Sequence, residues 1–356
     1  MRRVIVLALV LVALVAALRA GDPVVTPSAA QTAAPCPAPA GPWVPIPKLH
    51  EWKANMVTFG KSNGDAIVAH QNDDPVDPAL AMTYYDAIRV YHEIATYTQD
   101  TMPWTKYIEA AKNVYRDRYV VKNQGAVPGF WNFTTGLRVD FDRGGDASSR
   151  SAVLLIAQKA AYAADGTPAS YTANMNRMRE VAYTIVSYLD AGALGDRQRQ
   201  RKALLVDQAY DHLNQFVSEA WAGTPTQASP FMAALTAHAL IRDWQTTMDR
   251  RLIPALTRLA DYLWANAWVA GDESMLYQLN PLDVEEGGRS TQGTPDLNLL
   301  IAPLYAFLAK ATGEVKYREQ GDALFAGGVT RAFLGLNKQF NQNYWWSFDY
   351  VAWRSS

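Results

Sequence analysis

The chain has 356 residues, 49% hydrophobic and 19% charged, with a formal net charge of -1. Those proportions describe a globular protein with a sizeable core, and the near-neutral balance gives no reason to expect nucleic-acid binding. One cysteine, Cys36, excludes an internal disulfide, so stability rests on the buried interior.

Met1, Arg2 and Arg3 precede an uncharged apolar run from Val4 to Leu18. That run falls short of the ~18–20 apolar residues of a membrane span. It predicts a signal peptide over residues 1–20 and a periplasmic or secreted chain that leaves the membrane after cleavage. Residues 21–47 are rich in Ala, Pro, Thr and Ser and predict a flexible leader. Pro35, directly before Cys36, argues against a lipid-anchored cysteine. Residues 48–356 then form one domain.

Trp43–Asp73 carries no assignable element. Apolar positions at three-to-four spacing predict a helix over Leu80–Tyr97 and a second over Trp104–Tyr119. Val127–Phe133 reads as a short extended piece, and Arg138–Asp146 as an acidic loop. Helices follow over Ser148–Ala164, Met175–Leu189, Leu204–Val217, Phe231–Trp244 and Arg251–Trp268. A long loop, Gly271–Gly293, separates these from helices over Leu297–Ala311 and Tyr317–Phe325. Asn343–Val351 reads as a second extended piece. Asp77-Pro78, Ser229-Pro230 and Thr294-Pro295 each place a capping side chain before a proline at the first helical position, and Asp146 offers a similar start. These starts recur every ~65–85 residues, each interval holding a small-residue-rich helix and then a more amphipathic one. Such a period signals helical hairpins that bury their faces against their neighbours.

The turn Ala311-Thr312-Gly313-Glu314 with Lys316-Tyr317, and its counterpart Gln99-Asp100 with Lys106-Tyr107, carry a resemblance. The layout is similar to the six-hairpin, or α/α-toroid, superfamily of carbohydrate-active enzymes. The resemblance covers most of residues 75–330 and implies an all-α (α/α)n toroid with little β structure. It also implies that the T-G-E-x-K-Y element docks the outer helix, and that the cleft lies where the inner helices begin.

A glycosidase needs two carboxyl groups at a set separation. The Asp140–Asp146 segment offers Asp142 and Asp146, and the first turn of a later helix offers Asp296. The competing structural roles are a helix cap for Asp146, an arginine partner for the loop carboxylates and a dipole-favoured first-turn acid for Asp296. Tyr84 reads as a proton donor or stacking ring, and Trp131 as an aromatic beside a turn at the cleft. Arg143 and Arg289 are candidates to neutralise an acidic sugar. The amides and indoles of Gln342, Trp345 and Trp346 form either a sugar surface or an aromatic plug. The five histidines show no metal-ligand spacing, so neither a metal nor a cofactor is expected. The expectation is a monomeric, exported glycoside hydrolase acting on a polysaccharide or oligosaccharide. A polysaccharide lyase acting on uronates, or a non-catalytic glycan-binding or envelope-structural toroid, are the alternatives.

Overall fold

A computed structural model describes residues 44–224, 226–280 and 292–356. The expected signal peptide, most of the expected leader with Cys36, and Arg289 lie outside the described residues. The fold is all-α: the described residues contain thirteen α-helices and a single two-stranded ribbon, Trp268–Val269 with Ser274–Met275. No described helix is long and apolar enough to cross a membrane.

The helices come largely in pairs. α1 spans Leu49–His70 and a short α2 spans Asp77–Met82; α3, Ala87–Thr98, is followed by α4, Met102–Ala111. α4 runs directly into a π-helical segment, Lys112–Val121. Then come α5, Thr135–Gly144, with α6, Ala147–Lys159, and α7, Met178–Ala193, with α8, Lys202–Val217. α9, Pro230–Thr247, pairs with α10, Leu252–Asn266; α11, Asn298–Thr312, pairs with α12, Val315–Arg331; α13, Asn337–Arg354, ends the chain. A left-handed residue closes the first member of four pairs: Gln99 (φ 54°), Gly145 (φ 69°), Met248 (φ 53°) and Gly313 (φ 74°). That conformation releases the helix and lets the chain reverse within a few residues.

α3 packs on α5, α5 on α7, α7 on α9, α9 on α11, α11 on α13, and α13 on α3. These six helices run the same way. Near their beginnings, Asn341 donates to the carbonyls of Met82 and Tyr84, Gln342 to that of Asp296, and Thr236 to that of Met178. Further along, Arg89 meets Asp349, His92 meets Asp140, Arg242 meets Asp190 and Phe307 meets Trp353. Alanines at 233, 234, 237 and 239 in α9, and at 302 and 306 in α11, are buried and keep side chains thin where backbones approach.

Each remaining long helix packs against one or two of these six, and one device recurs between helices. Lys106 Nζ and Tyr107 OH both donate to Asp65 of α1 (2.8 and 3.0 Å). Lys316 Nζ and Tyr317 OH both donate to Asp261 of α10 (2.9 and 3.2 Å). The Lys-Tyr pair therefore docks α4 onto α1 and α12 onto α10.

Several expected elements are corrected. The unassigned stretch before Asp73 is α1, whose buried side is Trp52, Met56, Gly60, Asn63, Gly64 and Ile67. Two glycines and an asparagine in that helical stripe hide it from a hydrophobicity pattern. The expected helix Leu80–Tyr97 breaks at Thr83–Asp86, where Tyr85 (φ 63°) and Asp86 (φ 54°) are left-handed. Asp86 caps α3 through Arg89 N and accepts from Gly136 N of α5 at 2.9 Å, so bonds between segments override the local period. Arg138–Gly144 is not a loop but the body of α5, and Asn343–Val351 lies inside α13. Val127–Phe133 holds a 3₁₀ turn, Gly129–Trp131, and the helix begun at Ala147 stops at Lys159.

Candidate functional site

Where the parallel helices begin, four rings meet. Trp345 of α13 packs 5.7 Å from Tyr85, 5.5 Å from Phe133 and 5.7 Å from Tyr183. Trp345 and Trp346 are each only 3% exposed; Trp345 is enclosed by these rings, and Trp346 lines a cavity. The reason lies in α13, which turns consecutive aromatics inward on a helix packed against both α11 and α3.

Beyond these rings lies a layer of buried charge. Asp190 of α7 is fully buried and accepts four hydrogen bonds. Thr134 and Thr135 donate to one carboxyl oxygen at 2.7 and 2.9 Å. Arg138 Nε and Arg242 Nη2 donate to the other at 2.9 and 2.7 Å. Burial alone would raise its pKa; Arg242, Arg138 and Thr134 outweigh that cost and hold it below the ordinary carboxylate value. Asp86 lacks a guanidinium hydrogen bond to its carboxyl, and burial pushes its pKa up to about 6, against the backbone N–H groups of Gly136 and Arg89.

A cavity of about 280 Å³ opens next to this layer, lined by residues of α3, α5, α9 and α13. Arg89 donates to Asp349 at 2.9 Å and places its guanidinium 4.9 Å from the Trp346 ring. His238 stacks on the same indole at 4.0 Å and 9°. Its Nε2 donates to the carbonyl of Leu300 at 2.9 Å, which leaves Nδ1 as the unprotonated nitrogen. Burial pushes the pKa of His238 down to about 4, so the ring is neutral near pH 7. Glu93, one turn beyond Arg89 on α3, also lines the cavity, and among the described residues its carboxylate makes no hydrogen bond. Arg138, Arg242 and Trp353 complete the charged and aromatic wall. Among the described residues no group of three His, Cys, Asp or Glu side chains could hold a metal.

The residues singled out from the sequence divide between the two ends of the parallel helices. Tyr84 and Trp131 come together edge-to-face at 4.7 Å where the helices begin. Asp296 is there too, its carboxylate accepting from Phe333 N at 2.6 Å and its carbonyl from Gln342 at 2.5 Å. Asp142, Arg143 and Asp146 lie at the other end. Asp142 is exposed and paired with Arg138 four residues earlier. Arg143 donates to the carbonyl of His92 at 2.8 Å. Asp146 caps α6 through Ser148 N and Ser149 N and is bound by Lys112 and Arg116 at 3.0 and 2.7 Å. Partial burial works against its charge, but Lys112, the Ser149 N–H and Arg116 hold its pKa well below the usual carboxylate range.

Asp142 and Asp296 have separate partners, Arg138 and Phe333 N. Asp142 sits in the last turn of α5 and Asp296 in the turn before α11, and the helices are parallel. Among the described residues a cavity opens further along the helices than the expected cleft, lined from α3, α5, α9 and α13.

Sequence reasoning missed Glu93, Asp190 and Arg242. A signal was present for Asp190: a lone acid in the apolar run Tyr183–Ala193 must find a buried partner. Comparison of the chain with protein-family models, with curated proteins and with solved structures finds no match.

Proposed function

We propose that this chain is an exported glycoside hydrolase built as a six-hairpin α/α toroid, with Glu93 and Asp349 as its carboxyl pair. The cyclic order of contacts from α3 round to α13 and back supports the ring, with α1 serving as the outer partner of α13. A crystal structure in which α13 failed to reach α3 would remove it.

The observation that carries the catalytic reading is the placement of two carboxyl side chains around one guanidinium on a shared cavity. Asp349 is hydrogen-bonded to Arg89, and Glu93 follows Arg89 by one turn on α3. Residues four apart on a helix have neighbouring side chains, so the two carboxyls flank Arg89 from adjacent helices. Asp349, fixed by its bond, suits the role of nucleophile or base. Glu93, with no hydrogen bond of its own, is free to turn toward a leaving-group oxygen as the acid. The half-buried indole of Trp353 offers a flat face to a sugar ring. A carboxyl separation of ~5 Å predicts retention of configuration and ~6.5–9.5 Å inversion.

The test is release of reducing ends from a panel of neutral and acidic polysaccharides and oligosaccharides. Wild-type protein is expected to release them, and Glu93→Gln and Asp349→Asn to lose at least ~100-fold in rate, the scale of a general acid or base. Products absorbing in the ultraviolet as unsaturated uronates would replace hydrolysis by elimination. Full activity in both variants would end the assignment of the pair.

A further inference from the structure

We infer that the cavity recognises the carboxylate of an acidic monosaccharide unit through a guanidinium clamp formed by Arg138 and Arg242. This deepens the hydrolase reading by naming its substrate class and rests on that reading for its catalytic meaning, although the clamp is tested by binding alone.

The clamp is built from beneath. Arg138 Nε and Arg242 Nη2 donate to the same oxygen of Asp190, so the two guanidiniums are held side by side from α5 and α9. Like charges brought this close repel unless something between them compensates. Asp190, with no exposed surface, does so from behind, and Thr134 and Thr135 saturate its second oxygen. Both guanidiniums line the cavity and are only half-buried, so they remain accessible from the open side. Arg138 Nη1 also pairs with the exposed Asp142 and Arg242 Nη1 donates to Thr135, so the N–H edges left over are Arg138 Nη2 and Arg242 Nε, one from each guanidinium, which match the two oxygens of a ligand carboxylate.

The rest of the wall fits the remainder of a sugar acid. Glu93 and Asp349 accept hydroxyl hydrogens, Gln245 supplies an amide, and Trp353 supplies the flat apolar face. Arg89 adds a third cation, and its Nε is buried with no hydrogen-bond partner. A volume near 280 Å³ is at the small end of ligand pockets, typically ~300–1,000 Å³, and suits one sugar unit rather than a chain. Asp190 acts here as a positioning residue, since it touches the clamp and not the ligand.

The experiment is calorimetric titration of the full chain with sodium D-glucuronate and, separately, with D-glucose and sodium acetate. Glucuronate is expected to bind at least about tenfold more tightly than glucose or acetate, because only it satisfies both the clamp and the hydroxyl acceptors. Its affinity should fall as ionic strength rises. Arg242→Gln and Arg138→Gln, each checked for native helix content, should each weaken glucuronate at least about tenfold while leaving glucose within about twofold. Glu93→Gln, inactive by the hydrolytic reading, should still bind glucuronate. Equal binding of glucuronate and glucose, or unchanged affinity in both arginine variants, would overturn the clamp. Hydrolysis of neutral glycans only, without glucuronate binding, would sink the clamp and leave the hydrolase. Glucuronate binding without hydrolysis of any glycan would do the reverse.

Discussion

Replacing Asp190 with alanine removes the acceptor that joins three helices and leaves two guanidiniums facing one another without it. The carboxylate is fully buried and takes bonds from Arg138, Arg242, Thr134 and Thr135 at 2.7 to 2.9 Å. Removing one partner of a buried, hydrogen-bonded charge arrangement costs about 3–5 kcal/mol, because the surviving charges stay desolvated and uncompensated. The two arginines are half-buried and can turn partly toward water, which places the expected cost at the lower end, about 3 kcal/mol. For a domain of this size about 1 kcal/mol corresponds to ~2–4 °C in Tm, so a fall of roughly 6–12 °C is expected. Thermal unfolding followed by circular dichroism at 222 nm, wild type against variant in one buffer, measures it. Asp142→Ala, which removes only the exposed partner of Arg138, serves as the comparison and should shift Tm by no more than ~2 °C. If Asp190→Ala melts within 2 °C of wild type, on the same scale, the buried charge layer does not hold α5, α7 and α9 together as described.

Two further predictions concern stability. A Cβ on Gly136 would clash with Asp86 Oδ1 and Arg89 N and lie 2.8 Å from Ile88 Cβ, one of the three, Arg89 N, being α3 backbone. Gly136→Ala should therefore force α3 and α5 apart and cost about 2–3 kcal/mol, measured as a lower urea midpoint at unchanged m-value, and an unchanged midpoint would show that the helices are not in close contact. His238 has a folded pKa of about 4 against an ordinary 6.5. The native state then binds fewer protons than the unfolded state in that window, so the contribution of His238 is complete above pH 6.5 and is lost as pH falls toward 4. His212, also pushed down to about 4 by burial, adds in the same direction, whereas Asp86, raised to about 6, opposes both by favouring the native state as pH falls. Urea midpoints of wild type and His238→Gln between pH 4 and 7 should converge toward the acid end, and a constant difference across that range would refute the assignment.

The legible part of this protein was its helical content. Prolines at 78, 230 and 295 and the Asp146 cap stood at helix starts and the left-handed Gly313 at an expected reversal, but Asp77, Ser229 and Thr294 make none of the capping hydrogen bonds expected of them. The Lys316-Tyr317 and Lys106-Tyr107 pairs were read as docking elements, and both do dock, each onto an aspartate about 40 to 55 positions earlier in the chain. Less legible were elements whose pattern depends on a neighbour. α1 packs through glycines, which carry no hydrophobic signal, and the break before α3 exists because Asp86 satisfies N–H groups on two separate segments. The acidic stretch ending at Asp146 drew attention through its density of charge, yet its carboxylates are committed to Arg138, His92, Lys112 and Arg116.

From the sequence alone follow the all-α class, the rhythm of paired helices and the turns between them, because period, first-turn prolines and left-handed turn positions are written within a few consecutive residues. Which polar groups meet was decided only by tertiary structure. Arg89, Asp190, Arg242 and Asp349 are scattered over 260 positions and are individually ordinary, and each becomes distinctive only when parallel packing sets four helix faces around one space. A buried charge is tolerable only beside its partner, and partners at that sequence distance are chosen by the packing of helices, not by spacing along the chain.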